Sequence, residues 1–83
     1  MNLGANCKPG FVPITSNWQD CKIAAVAFGF SGDRVAHVDY QYAYGTRRPK
    51  GCFQSGDNKR FHFNKGMGGS AVGLDKILCK SNG

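Results

Sequence analysis

The chain has 83 residues, four cysteines and a formal net charge of +6, with eleven Lys and Arg against five Asp. A chain of this length is expected to form a single disulfide-bonded domain over residues 1–83, with a small core that needs reinforcement. It contains no run near the roughly 20 apolar residues of a transmembrane helix, so we expect no membrane insertion. The charge favours anionic partners, although scattered lysines also serve solubility alone.

The cysteines predict two disulfides and an extracellular, secreted protein. They are even in number and widely spaced in a short chain, at Cys7, Cys21, Cys52 and Cys79. Each disulfide contributes roughly 2–4 kcal/mol to the stability of a domain. A zinc site is not indicated, because the sequence has no CxxC pair and its histidines lack HxxxH spacing. We expect neither a metal nor another cofactor.

The first predicted element is a helix of about three turns in SNWQDCKIAAVAFG, residues 16–29. Ser16 and Gln19 have the spacing of a capping box, and Gly29 stands where a helix is followed by a glycine. Residues spaced to share one buried stripe are Trp18, Cys21, Ala25 and Phe28. This stripe predicts that Cys21 points into the core.

Strands are predicted after the helix. RVAHVDYQYAY, residues 34–44, alternates with a period of two, which is typical of a half-buried strand. Its predicted inner face holds Ala36, Val38, Tyr40, Tyr42 and Tyr44, of which Tyr40 is expected in the core and Tyr44 beyond the helix. A hairpin follows, formed by CFQS, a GDN turn and KRFHFN, and the last strand is DKILCK.

These elements predict an α+β fold, with one helix packed on a small three- to four-stranded antiparallel sheet and two disulfides. If the helix covers the face with Phe61 and Phe63, Cys21 pairs with Cys52, and Cys7 pairs with Cys79. This pairing is one of three that four cysteines allow, and the sequence alone does not choose among them.

The outer face of the predicted sheet is the candidate binding site. His37, Asp39 and Gln41 would lie beside Arg60, His62 and Asn64, and Tyr44 and Arg47 would lie in or next to the adjoining loop. These mostly planar, hydrogen-bonding side chains suit a ligand rich in hydroxyls or phosphate oxygens. The alternative interpretation is an ordinary solvated sheet face.

Two other functions are less well supported by the residues, and we expect no catalysis. A two-histidine ribonuclease would use His37 as base and His62 as acid, with Arg60 or Lys59 holding the phosphate. A nucleic-acid module would need exposed aromatic rings, whereas Phe61 and Phe63 are predicted to face the core. Nucleic acid is therefore not the expected partner.

Three segments carry a family resemblance: DCKIAAVAFG, RPKGCFQSGDNKRFHFN and ILCK, within residues 20–80. Their order resembles small cysteine-rich secreted domains of algae and other marine protists, which have a Cys-x-x-Ala-Ala helix followed by Pro-x-Gly-Cys-Phe/Tyr. The chain is also similar to small green-algal lectins. That resemblance implies a disulfide-bonded agglutinin with a preference for galactose or N-acetylgalactosamine, and it assigns no individual sugar-contacting residue.

The residues support the same expectation independently, because sugars are bound by planar polar side chains together with an aromatic ring. Agglutination requires at least two sites, so we expect a homodimer or a higher homo-oligomer. The rival hypothesis is a basic defence or toxin-like protein that acts on anionic surfaces.

Overall fold

The protein, as a computed structural model, is described for residues 1–38, 48–66, 68–69 and 75–82. One helix packs on a five-stranded antiparallel sheet, which confirms the α+β prediction and adds at least one strand to it. The helix is α1 (Trp18–Ala27). The strands are β1 (Asn2–Gly4), β2 (Phe11–Pro13), β3 (Gly51–Gln54), β4 (Phe61–Asn64) and β5 (Lys76–Ser81).

The last strand in the sequence organises the sheet. The order is β1-β5-β3-β4, and β2 also pairs with β5. Within β5, Cys79 lies opposite both Asn2 of β1 and Pro13 of β2, while Ile77 lies opposite Phe53 of β3. Strands β3 and β4 form the predicted hairpin, with Phe53 opposite His62. The three-residue strands β1 and β2 were not predicted, because so short a segment shows no alternation.

The helix begins one residue later than the predicted capping box. Asn17 is the N-cap, and its side-chain oxygen accepts a hydrogen bond from the backbone N–H of Asp20 at 2.7 Å. Ser16 instead donates to the carboxylate of Asp20 at 2.6 Å, so the predicted pair of Ser16 and Gln19 is wrong. The helix ends as predicted, because Gly29 follows the C-cap residue with a φ of 110°.

The core lies between α1 and the sheet, and α1 contacts β3, β4 and β5. The buried cluster consists of Ile14, Cys21, Ala25, Val35, Val38, Cys52, Phe61, Phe63 and Leu78. Trp18 is half-buried and packs against it. The prediction that Phe28 joins this stripe is wrong: the helix ends at Ala27, and Phe28 is 40% exposed and stacks on Phe30.

The segment before residue 39 is not the predicted strand. Residues Gly32–Arg34 form a 3-10 helix, and residues 35–38 form a turn. Val35 and Val38 are both buried while Ala36 is exposed, a spacing of three that belongs to a helical turn and not to a pleat. The other inner-face residues of that predicted strand, Tyr40, Tyr42 and Tyr44, lie outside the described residues.

Two disulfides connect the elements as predicted. Cys21 of α1 bonds to Cys52 of β3, and Cys7 bonds to Cys79 of β5. The first joins the helix to the hairpin from within the core, where both cysteines are fully buried. The chain also passes close to itself at Gly51, where φ is +84° and a side chain would collide with the carbonyl oxygen of Ile14.

Candidate functional site

A polar pocket of about 230 Å³ lies beside the β3–β4 hairpin. It is smaller than the roughly 300–1,000 Å³ of drug-sized sites, so it accommodates one small group. The described residues that line it are Arg48, Phe53, Ser55, Asp57, Asn58 and His62. Phe53 is nearly fully buried and forms the base, and four of the others carry the planar polar groups that the sequence predicted for a binding site.

The tight turn at residues 55–60 positions the polar rim of the pocket. The backbone N–H of Lys59 donates to the Ser55 carbonyl at 3.0 Å, and Lys59 takes a left-handed φ of 62°. The Ser55 hydroxyl accepts from the N–H of Asp57 at 3.3 Å, and the Asn58 side-chain oxygen accepts from the N–H of Arg60 at 2.9 Å. These bonds fix the backbone, and they leave the side chain of Asp57 88% exposed.

An ion pair anchors the opposite wall. Arg48 donates to both carboxylate oxygens of Asp75, at 2.6 and 2.7 Å, and the N–H of Gly56 donates to the same carboxylate at 2.8 Å. The Asp75 side chain is 2% exposed, whereas that of Arg48 is 29% exposed. Asp75 thus ties the turn and Arg48 to the start of β5. The guanidinium of Arg48 also lies 3.9 Å from the carboxylate of Asp57.

Two histidines meet at this pocket. The ring centroids of His37 and His62 are 6.5 Å apart, and the rings are stacked at an interplanar angle of 29°. The His62 ring also lies 5.6 Å from the ring of Phe53. Burial lowers the pKa of His62, the nearby His37, Arg48 and Arg60 lower it further, and the Asp75 carboxylate opposes them. At neutral pH His62 is therefore an uncharged imidazole with one donor and one acceptor.

The structure brings two of the predicted site residues together and gives two others different surroundings. His37 and His62 are adjacent, as the predicted outer face requires. Arg60 forms an ion pair with Asp33 at 2.9 Å. Asn64 is fully buried, where its amide donates to the carbonyls of Arg48 and Pro49 and accepts from the N–H of Gly66, so its amide stabilises the fold. The remaining predicted residues, Asp39, Gln41, Tyr44 and Arg47, lie outside the described residues.

Sequence analysis missed five of the six described lining side chains, all except His62, and the buried carboxylate of Asp75 beside them. Arg48 belongs to the loop predicted beside Arg47, and Asp57 and Asn58 belong to the predicted GDN turn, but none of the three was predicted to be a site residue. A usable signal was present in the Asp-Asn turn, because turn residues between paired strands project at the end of a hairpin. The pairing of Arg48 with Asp75 had no such signal.

The charge at the pocket differs from that of the whole chain. Among its described neighbours, Arg48 and Arg60 supply two positive charges, and Asp57 and Asp75 supply two negative charges, so these groups have no net charge, whereas the chain carries +6. Two carboxylates disfavour a phosphate or sulfate ligand at short range. They also provide acceptors for hydroxyl groups, so the described lining suits a neutral, hydroxyl-rich ligand.

Stability is expected to fall as the pH drops below about 6.5, the ordinary pKa of histidine. Because the pKa of His62 is lowered in the folded state, the unfolded chain binds the proton first, and folding loses stability until the folded pKa is reached. Above about pH 6.5 His62 is neutral in both the folded and the unfolded state, so it does not make the free energy of unfolding depend on pH. Urea unfolding between pH 5 and pH 8 measures this, with His62→Gln as the control; the same pH profile in both proteins would contradict the assignment.

Among the described residues, no group of three or more His, Cys, Asp or Glu side chains is arranged to hold a metal ion. No helix in the described part of the chain has the length and apolarity needed to cross a membrane.

Comparisons with protein-family models, curated proteins and solved structures found no match to this chain.

Proposed function

We propose that the protein is a carbohydrate-binding lectin that holds one terminal sugar, of galactose or N-acetylgalactosamine type, in the pocket beside the β3–β4 hairpin. The observation that supports this most is the combination of a guanidinium, a carboxylate, a carboxamide and a neutral imidazole around one small pocket. Such groups form paired hydrogen bonds with neighbouring hydroxyls of a pyranose. The two disulfides of this small domain are consistent with an extracellular protein, and we propose that it is secreted.

Each lining group has a distinct part in this proposal. Asp57 accepts hydrogen bonds from sugar hydroxyls, because its carboxylate is the most exposed charged acceptor of the rim. Arg48, already oriented by Asp75, and the amide of Asn58 donate to ring or hydroxyl oxygens. His62, whose ring lies against the buried ring of Phe53, forms the side against which the C–H face of a sugar packs.

The proposal is for binding without catalysis. The stacked histidines resemble the acid–base pair of a ribonuclease in their proximity, at 6.5 Å between centroids. However, the two guanidinium groups that act on His62, those of Arg48 and Arg60, are paired with Asp75 and Asp33, and Asp57 adds a further negative charge at the pocket. These charges oppose the anionic transition state of phosphodiester cleavage.

Agglutination needs more than one pocket, so we propose a homodimer or higher homo-oligomer as the form that links cells. Effective concentration then raises the avidity of a weak single site. The oligomeric state is measured directly by sedimentation equilibrium.

The test is Asp57→Asn. Loss of the charged acceptor is expected to weaken binding of galactose or N-acetylgalactosamine glycoconjugates by about tenfold or more, since a hydrogen bond to a charged group contributes about 1.5–3 kcal/mol. Glycan-array binding followed by titration with the free sugar measures the change. The matched control is Asp33→Asn, which makes the same chemical change at an exposed carboxylate outside the pocket lining.

Wild-type binding that free sugar competes away, weakened in Asp57→Asn and unchanged in Asp33→Asn, would support the lectin. Wild-type protein that binds no glycan on the array, or that loses signal with salt but not with sugar, would overturn the proposal.

A further inference from the structure

The outward face of α1 is apolar. Of the large hydrophobic side chains in the described part of the chain, the exposed ones are Met1, Ile23, Val26 and Phe28, and three of these lie on α1 or at its C-cap. Ile23 is 67% exposed and Val26 is 52% exposed. A surface helix normally presents polar residues to water, so this face is suited to leaving water on contact with a partner.

The geometry of the helix fixes this face outward. Successive helical residues are 100° apart, so Cys21 and Ile23 point to nearly opposite sides of α1. Cys21 is bonded to Cys52 inside the core, and therefore the helix cannot rotate to bury Ile23. On the outside, Ile23 and Ala27 form a ridge between a hollow of about 700 Å³ and a second of about 290 Å³.

Charged and amphipathic groups surround the ridge. Lys22 lines the larger hollow together with Trp18, and Lys80 and Asp20 line the smaller one. The carboxylate of Asp20 is occupied by hydrogen bonds from Ser16 and Asn17. The helix thus presents apolar side chains together with the indole of Trp18 and the ammonium group of Lys22, and the ammonium group of Lys80 on β5 lies beside them. Apolar side chains, indole rings and lysines are suited to the headgroup layer of a bilayer.

We propose that the α1 face, defined as Trp18, Lys22, Ile23 and Val26, docks the protein on the surface of an anionic lipid bilayer. Net charge favours this occupant, because a chain of +6 is attracted to the surface of an anionic bilayer. The ten-residue helix is about 15 Å long, half the thickness of a hydrocarbon core, so it lies flat among the headgroups.

This contact is separate from the sugar pocket, since the two sets of described lining residues have no member in common. A lectin with both surfaces would hold a glycan and the underlying membrane of the same cell. The inference does not depend on the identity of the glycan, and it stands if the pocket binds no sugar.

The experiment is co-sedimentation with vesicles of phosphatidylcholine and phosphatidylserine at about three to one, compared with phosphatidylcholine alone. Wild-type protein is expected to bind the anionic vesicles and to bind the neutral ones much more weakly. The variant Ile23→Gln with Val26→Gln keeps good helix formers at both positions and removes the exposed apolar side chains. Its affinity for the anionic vesicles is expected to fall by about tenfold or more, because the burial of apolar side chains drives the docking of an interfacial helix.

Asp57→Asn is the matched control, because it alters the sugar pocket and leaves the α1 face intact. It is expected to bind the anionic vesicles at least as strongly as the wild type, because it removes one negative charge. A wild-type urea midpoint for the double glutamine variant shows that the fold is retained. Equal vesicle binding by the wild type and the double variant would overturn the inference. A wild-type dimer that becomes monomeric in the double variant would also overturn it, since the occupant would then be a second copy.

Discussion

Replacing Cys21 and Cys52 together by alanine is expected to lower the free energy of unfolding by about 3–5 kcal/mol. The bond closes a loop with a sequence separation of 31, so its loss returns conformational freedom to the unfolded chain. Both cysteines are also fully buried between α1 and the sheet, and their removal leaves a cavity in the core. Urea unfolding of the oxidised proteins at neutral pH measures the difference.

The comparison variant replaces Cys7 and Cys79, whose sequence separation is 72. Loop entropy alone makes this second bond the more stabilising by less than about 1 kcal/mol. Since Cys7 is only half-buried, a larger loss from the Cys21–Cys52 pair would identify core packing as the deciding term. A variant without Cys21 and Cys52 that keeps the wild-type urea midpoint would contradict the structural importance of this bond.

Asp75→Asn is expected to lower the free energy of unfolding by about 2–4 kcal/mol, because it removes the buried charge that the Nη1 of Arg48 contacts. The Asp75 carboxylate is nearly fully buried and accepts from Arg48 and from the N–H of Gly56. Arg48 is partly exposed, so water offsets part of the loss. Thermal and urea unfolding both report this change.

Asp33→Asn provides the reference for an exposed ion pair. Its partner is Arg60, both side chains reach solvent, and the expected loss is about 0–1 kcal/mol. If Asp75→Asn and Asp33→Asn lower the free energy of unfolding equally, the buried ion pair of Asp75 contributes no more to stability than an exposed ion pair does.

The parts of the fold that could be predicted from the sequence are those with strong local patterns. The helix was identified from its spacing and from Gly29, and the hairpin from two short apolar runs around the Asp-Asn turn. The segment at 34–38 was misread because Val35 and Val38 satisfy a helical turn, while the alternation that suggested a strand rests mainly on the tyrosines that follow. Strands β1 and β2 exist only through their pairing with β5, which no local pattern reveals.

The candidate site was predictable in its chemistry and only partly in its members. His37 and His62 were placed on a shared face from strand register, although His37 reaches that position from a turn. Asn64 was misjudged because an asparagine at a strand end appears exposed in sequence, whereas it is fully buried here. The ion pair between Arg48 and Asp75, which are 27 residues apart, depends on tertiary packing that cannot be predicted from sequence spacing.

The central position of β5 dictates the order in which the domain can assemble. Strands β1, β2 and β3 all take β5 as a partner, yet β5 is the last strand to leave the ribosome. Before β5 is synthesised, α1 can already pack on the β3–β4 hairpin. Cys7, in contrast, cannot yet bond to Cys79, which lies in β5. The Cys21–Cys52 bond can form on the incomplete chain, and we expect the pairing of the N-terminal strands with β5 to be a late, slow step, because it joins segments far apart in the sequence.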